Sequence, residues 1–165
     1  MGIVFGRIGN FINGELYGRV TDVPWAIIFP DGGPKPRHPS QLYQAFAEGL
    51  CVFLLLHVIE WNEKRLGYAP DLKKLMADPK NQKAKKINIE WKRTGVMTSS
   101  FLILYGLARF IIEFFREPDA QLGFFMQYFS MGQILCFLQM LVGAAMLIYV
   151  IKKPRPQTYT YELKK

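Results

Sequence analysis

The chain has 165 residues, with 21 Lys plus Arg against 13 Asp plus Glu for a net charge of +8, and half of its residues are hydrophobic. That length allows one domain, and the composition excludes disordered, collagen-like and disulfide-scaffold classes. Residues 122 to 151 hold no Asp, Glu, Lys or Arg, a run that reads as membrane span and not as soluble core.

In chain order, residues 1 to 12 are apolar but too short to span, without the basic start or small-residue cleavage site of a signal peptide. The segment reads as the outward end of a truncated membrane helix, and the chain is expected to lack its beginning. Together with an outward-facing loop it makes up residues 1–40. A first transmembrane helix is expected over 41–60, started at Pro39-Ser40 with Ser40 as N-cap. A basic loop over 61–95 follows, then a second helix over 96–116 that begins after Gly95, an outward-facing loop over 117–130, and a third helix over 131–151. Lys152-Lys153-Pro154 closes that helix and opens the tail, 152–165. The expected fold is therefore all-α: a polytopic integral membrane protein of one domain, with three full transmembrane helices.

Orientation follows from Lys and Arg counts, because cytoplasmic flanks hold the excess. Ten of the 21 basic residues lie in 61–96 and five in 152–165. Loop and tail are thus expected in the cytoplasm, and residues 13–40 and 116–130 outside. The basic residues of the loop, among them Lys73, Lys74, Lys80, Lys83, Lys85, Lys86, Lys92 and Arg93, read as a topology signal; no aromatic interleaving or nucleic-acid motif accompanies them. Cys51 and Cys136 sit in apolar runs without metal-ligand spacing and read as core or lipid-facing thiols.

The informative residues are the ionisable ones in apolar segments, where each costs several kcal/mol unless it meets a partner or water. Tyr105, Arg109, Glu113 and Arg116 follow one another in steps of four, four and three, which keeps them on one face of a continuous helix. An Arg109–Glu113 salt bridge is one reading of that stripe. Two arginines against one carboxylate leave a positive charge, and the guanidinium fork matches phosphate. A second cluster, from Gly6-Arg7-Ile8-Gly9-Asn10 through Asn13-Gly14-Glu15-Leu16-Tyr17-Gly18-Arg19, lies at the same outward depth, with glycines that permit close backbone approach. Helix packing would also explain those glycines; two arginine-bearing clusters at one depth favour an anion site. Glu48, inside the first span, is expected to face the bundle or a cavity. In Arg37-His38-Pro39-Ser40-Gln41-Leu42-Tyr43, the two-residue spacing of His38 and Ser40 is poor geometry for a nucleophile and base.

The stretch Gly6-Arg7-Ile8-Gly9-Asn10-Phe11-Ile12-Asn13-Gly14-Glu15-Leu16-Tyr17-Gly18 closely resembles the signature of the bacterial prolipoprotein diacylglyceryl transferases. Three further matches follow in the family order: Arg37 to Tyr43, the segment from Arg109 to Asp119, and Ser130-Met131-Gly132-Gln133-Ile134-Leu135. The resemblance implies an inner-membrane enzyme that moves a diacylglyceryl group from phosphatidylglycerol to the lipobox cysteine thiol of a prolipoprotein. A thioether forms, glycerol phosphate leaves, and neither metal nor organic cofactor is needed. Partners would be the bilayer, phosphatidylglycerol and the lipobox peptide, with no nucleic acid.

By the same resemblance Arg7 and Arg109 correspond to essential arginines, and Asn10, Glu15, Gly18, Tyr105, Glu113 and Arg116 to other positions implicated in activity or substrate binding. Arg7 and Arg109 would clamp the lipid phosphate, Glu113 would orient Arg109 or Arg116, and Glu15 with Asn10 would hold the glycerol headgroup or Arg7. Family members also carry further N-terminal membrane helices and a His-Gly-Gly motif, which neither His38 nor His57 occupies; this chain alone is expected to be inactive. The competing class is a non-catalytic anion-binding or transport component, which would need polar groups through both leaflets.

Overall fold

The computed structural model describes residues 1–68, 70–78, 80–81, 86–117, 124–125 and 129–162. In chain order the helices are α1 (Gly2–Ile12), α2 (Ser40–Arg65), the short α3 (Leu72–Ala77), α4 (Val96–Ile112) and α5 (Met131–Lys152). Within the basic loop Lys83 and Lys85 lie outside the described residues, as do Pro118, Asp119, Lys164 and Lys165.

By length and composition α2 and α5 can cross a membrane, whereas α1 and α4 are shorter. Two of the three expected spans thus have full length. The middle one was expected over 96–116, and its helix stops at Ile112 after 17 residues, about 25 Å at 1.5 Å per residue. The reason lies in the backbone beyond it. The Phe115 carbonyl accepts the Arg19 N–H at 3.0 Å, and Arg116 pairs antiparallel with Gly18. The apolar Phe114-Phe115 pair, which prolongs the hydropathy signal, belongs to this turn and not to the helix.

The all-helical expectation also needs correction. Strand β1 (Lys86–Trp91) from the basic loop pairs antiparallel with β4 (Gln157–Glu162) from the tail, with Ile89 opposite Tyr159. Before α5, the two-residue strands β2 (Phe124–Phe125) and β3 (Phe129–Ser130) form a second pair. Both β1 and β4 alternate polar with β-branched or aromatic residues, the period of a pleated ribbon. Their pairing fastens loop and tail together at one end of the bundle. At that end α2 and α4 also meet: Arg93 approaches Glu63 at 3.7 Å and stacks over the Tyr68 ring at 3.5 Å.

Helices α4 and α5 run antiparallel, since Gly95 at the start of α4 touches Val150, and Gly132 at the start of α5 touches Glu113. Small residues set their separation. A Cβ on Gly106 would lie 2.8 Å from Met140 Cγ, and one on Gly143 would lie 2.9 Å from Ile103 Cγ1 and 3.1 Å from the Ser99 carbonyl. Close backbone approach of this kind, with dispersion along the seam, holds helices together where lipid gives no hydrophobic drive. Gln139 adds a bond to the Leu102 carbonyl at 3.1 Å. Elsewhere α5 is bare: only Gln133, Cys136 and Gly143 are buried, while Leu135, Phe137, Leu138, Leu141 and Val142 are exposed. An exposed apolar surface of that extent suits lipid, not water. Helix α1 packs on α2 at Gly49, into whose empty Cβ position Val4 projects.

Gly143→Leu should therefore push α5 off α4 and destabilise the bundle by about 1–3 kcal/mol. Thermal unfolding in detergent reads this directly, and an unchanged midpoint would contradict the packing described.

Candidate active site

Along α2, Gln41, Gln44 and Glu48 are spaced three and four apart, so they share one face, and none is more than 2% exposed. Polar residues so arranged in an apolar helix must turn toward other protein groups. The helix changes pitch here, with a π-helical stretch over Ala45–Cys51 that contains Glu48; such stretches frequently accompany functional positions. Arg109, from α4, brings Nη1 to 3.4 Å from Glu48 Oε1. Arg7, from α1, and Tyr105, one turn before Arg109, act on the same carboxylate. Three helices thus converge on one buried acid. Among the described residues Glu48 Oε2, Gln41 Oε1 and Gln44 Oε1 have no hydrogen-bond partner.

A second group lies one turn further along. Glu113, the C-cap of α4, accepts the Ser130 hydroxyl at 3.2 Å and stands 3.9 Å from Arg116 Nη1. Its carboxylate occupies the space above Gly132, where a Cβ would meet Oε1 at 2.9 Å. It therefore sits at the N-terminus of α5, whose partial positive charge favours an anion. Ser130 and Gln133 close that terminus with reciprocal side-chain to backbone bonds.

The rim is built by the segment between α1 and α2. The Glu15 N–H donates to the Asn10 carbonyl at 2.9 Å, Gly14 has φ 71° and Leu16 φ 55°. A branched residue in the left-handed region is strained, and two buried side chains hold it there. The Ser40 hydroxyl donates to the Leu16 carbonyl at 3.0 Å, and Gln41 Nε2 donates to the Glu15 carbonyl. Ser40 is accordingly not the expected N-cap; Pro39 occupies that position and no side chain caps the helix. Beyond the turn, the Gly18 N–H donates to the His38 carbonyl at 2.9 Å. Arg37 donates to the Gly32 and Gly18 carbonyls, forms an ion pair with Glu117 and lies over the Tyr17 ring. His38 faces the Tyr43 hydroxyl at 3.2 Å and the edge of Phe115, and burial lowers its pKa from 6.5.

The residues singled out from sequence fall into three places. Arg109 pairs with Glu48, Tyr105 bonds to it, and Arg7 interacts with it electrostatically. Glu113 and Arg116 form the neighbouring pair, although Arg116 has left the helical face expected of it. The partner of Arg109 is Glu48 and not Glu113. Asn10, Glu15 and Gly18 belong to the rim, where the Glu15 side chain is exposed and Gly18 is buried between backbones. Sequence reasoning placed Glu48 toward the bundle but gave no role to it, to Gln44 or to Gln133; the spacing of Gln41, Gln44 and Glu48 within an apolar run was the signal. Among the described residues no group of His, Cys, Asp or Glu side chains could hold a metal ion. Three guanidiniums (Arg7, Arg109, Arg116) face two carboxylates (Glu48, Glu113), which leaves the site one positive charge.

Helices with exposed apolar faces, a glycine-packed seam and half-buried arginines around a buried carboxylate define an integral membrane protein. Comparison with known proteins makes the class specific. The sequence model of the family described as prolipoprotein diacylglyceryl transferase matches residues 1–74 and 80–149. The chain is 44% identical over 157 residues to phosphatidylglycerol--prolipoprotein diacylglyceryl transferase of Aeromonas hydrophila, which covers 93% of this chain and 46% of that protein. It is 46% identical over 153 residues to the enzyme so named from Geobacter sulfurreducens, with 93% and 48% covered. The corresponding protein of Pseudoalteromonas translucida is 46% identical over 158 residues, with 96% and 49% covered. The chain belongs to the prolipoprotein diacylglyceryl transferase family, and it spans about half the length of these relatives.

Two consequences of the rim can be measured. Gly18→Ala would place a methyl group 2.8 Å from the His38 carbonyl and against that of Phe115, so it should cost about 1–3 kcal/mol of stability. Burial disfavours the protonated form of His38, so protonation opposes the native state. Its contribution is complete above pH 6.5 and declines as pH falls from there through the lowered folded value. His38→Gln should flatten the pH dependence of the melting temperature as pH falls below 6.5; an unaltered slope would assign that dependence to other groups.

Proposed function

We propose that this chain carries the arginine site of a phosphatidylglycerol–prolipoprotein diacylglyceryl transferase of the bacterial inner membrane. The site opens toward the outer leaflet, and the loop and tail are cytoplasmic, in keeping with their excess of Lys and Arg. One observation carries the reading: Arg7 and Arg109, from different helices, act on one buried carboxylate a single turn inside the bundle end. Two arginines against one carboxylate leave a positive charge at this depth, which suits an anionic ligand. The phosphodiester of a membrane lipid is an anion that arrives at this depth.

In the reaction the peptide thiolate attacks the glyceryl carbon that bears the phosphate. A sulfur–carbon bond forms, the carbon–oxygen bond breaks with its electron pair retained on the phosphate oxygen, and the thiol proton passes to solvent. Arg7 and Arg109 stabilise the charge that grows on the departing phosphate, the electrostatic contribution that usually dominates such sites. Glu113 and Arg116 fix the end of α4, and the rim residues Asn10, Glu15 and Gly18 shape the approach of the glycerol headgroup. Beside the site an apolar cleft of about 500 Å³, lined in part by Trp25, His38, Leu42, Tyr43 and Phe46, offers room for acyl-chain carbon.

An anion conduit is the less favoured reading because polar groups toward the other end are already engaged. The Ser99 hydroxyl bonds the Gly95 carbonyl at 2.8 Å and the Gln139 amide bonds the Leu102 carbonyl at 3.1 Å. A transport path needs free polar groups in both halves.

The test is a gel-shift lipidation assay in phosphatidylglycerol vesicles with a lipobox peptide. The chain is run alone and joined to the N-terminal half of the Geobacter sulfurreducens relative. Lipidation by the joined protein is expected, and its absence would overturn the reading. In that joined protein Arg109→Lys keeps the charge but loses the fork, and should lower the rate about 100-fold or more. Equal activity of the lysine variant would remove the bidentate clamp.

A further inference from the structure

Resting on the transferase reading, we propose that Glu48 is a positioning residue that sets the net charge of the arginine site, so that the phosphodiester substrate is held and the phosphomonoester product is let go. A glutamine would fill the same space as Glu48, so packing alone does not call for a carboxylate at a position only 1% exposed. Its placement is electrostatic: Oε1 is 3.4 Å from Arg109 and the same group acts on Arg7. Glu113 and Arg116 already offset one another at 3.9 Å. The balance of charge presented to a ligand is therefore decided by Glu48 against Arg7 and Arg109. With Glu48 ionised it is one positive charge, and with Glu48 neutral or replaced it is two.

Substrate and product differ in that quantity. The phosphodiester carries one negative charge, whereas the monoester released on carbon–oxygen cleavage carries about 1.5 to 2 near pH 7. Removing an ion from water costs an energy that rises with the square of its charge, while attraction to a fixed site charge rises only linearly. A site of one positive charge matches the diester and gains little by holding the more highly charged monoester. A site of two charges would favour the monoester and retain it. Glu48 thus moderates binding at the stage where tight binding would slow turnover, and it does so through the arginines without touching the reacting atoms.

The experiment uses the joined protein that lipidates, with glycerol phosphate and its methyl phosphodiester as competing inhibitors. In the unaltered protein the monoester should inhibit no more than about threefold more tightly than the diester. Glu48→Gln should tighten inhibition by the monoester about tenfold or more, change the diester less, and slow steady-state turnover while sparing the first turnover. Glu48→Asp, which keeps the charge, should keep the inhibitor ratio of the unaltered protein. Weakening of substrate and both inhibitors alike in Glu48→Gln would show a purely structural residue and overturn the proposal. Should Glu48→Gln not accumulate, the unaltered protein decides alone: a monoester preference well above about tenfold overturns it. Absence of lipidation by the unaltered joined protein would instead sink the transferase reading.

Discussion

A carboxylate with no exposed side-chain surface, Glu48, lies 3.4 Å from Arg109 and interacts electrostatically with Arg7 inside a bundle whose exposed helix faces are largely apolar. In such surroundings no charge can be left to lipid, so each ionised side chain dictates where its neighbours go. The carboxylate draws α1, α2 and α4 together at one level. Once they meet there, the rest of the packing follows from what each backbone permits. Val4 lies over Gly49 where α1 crosses α2, and α5 closes on α4 through Gly106 and Gly143. Removing either partner would strand the other charge, which is why a buried pair constrains geometry more firmly than it adds net stability.

The end of the bundle near this pair is fastened by main-chain bonds. Residues 18 and 19 lie between the segment at 37 and 38 and the turn at 115 and 116, bonded to both. A side chain at residue 18 would force them apart. Arg37 and Arg19 reinforce the same junction through backbone carbonyls, Arg19 Nε at 2.8 Å from that of Arg116. The strained Leu16 turn is held from beneath by Ser40 and Gln41. Signature residues far apart in sequence thus share one small framework, and Glu15 stands on it with its side chain exposed.

The long apolar runs were legible because lipid imposes a single requirement over some twenty residues: expected limits of 41–60 and 131–151 compare with helices at Ser40–Arg65 and Met131–Lys152. The end of α4 was not legible, because Phe114 and Phe115 satisfy hydropathy whether the chain is helical or turning, and only the partner strand at Gly18 decides between them. The β1–β4 ribbon was hidden for a different reason. The alternation in Lys86–Trp91 and Gln157–Glu162 was present, but the density of Lys in the loop directs attention to topology, and pairing across some seventy residues leaves no local mark. At the site, the identity of the arginines could be read and their pairing could not. Arg109 and Glu113 are one helical turn apart in sequence, yet the carboxylate that Arg109 meets comes from sixty-one residues earlier.

The shortness of α4 bears on how a lipid could reach this site. A helix of 17 residues is about 25 Å long, somewhat less than the ~30 Å hydrocarbon core. A short apolar helix is accommodated by local thinning of the bilayer or by side chains reaching for the interface. Arg109 lies three residues from the end of α4, so both effects act where the guanidinium is. A phosphate group would then have to descend by only about one helical turn to meet it, not to the middle of the membrane. Extending α4 to full length would bury Arg109 more deeply and raise the cost of bringing any anion to it. On the proposed transferase reading, the early stop at Ile112 serves the site's chemistry as well as its architecture. The backbone pairing of Gly18 with Arg116 that enforces the stop connects the rim motif to the position of the arginine.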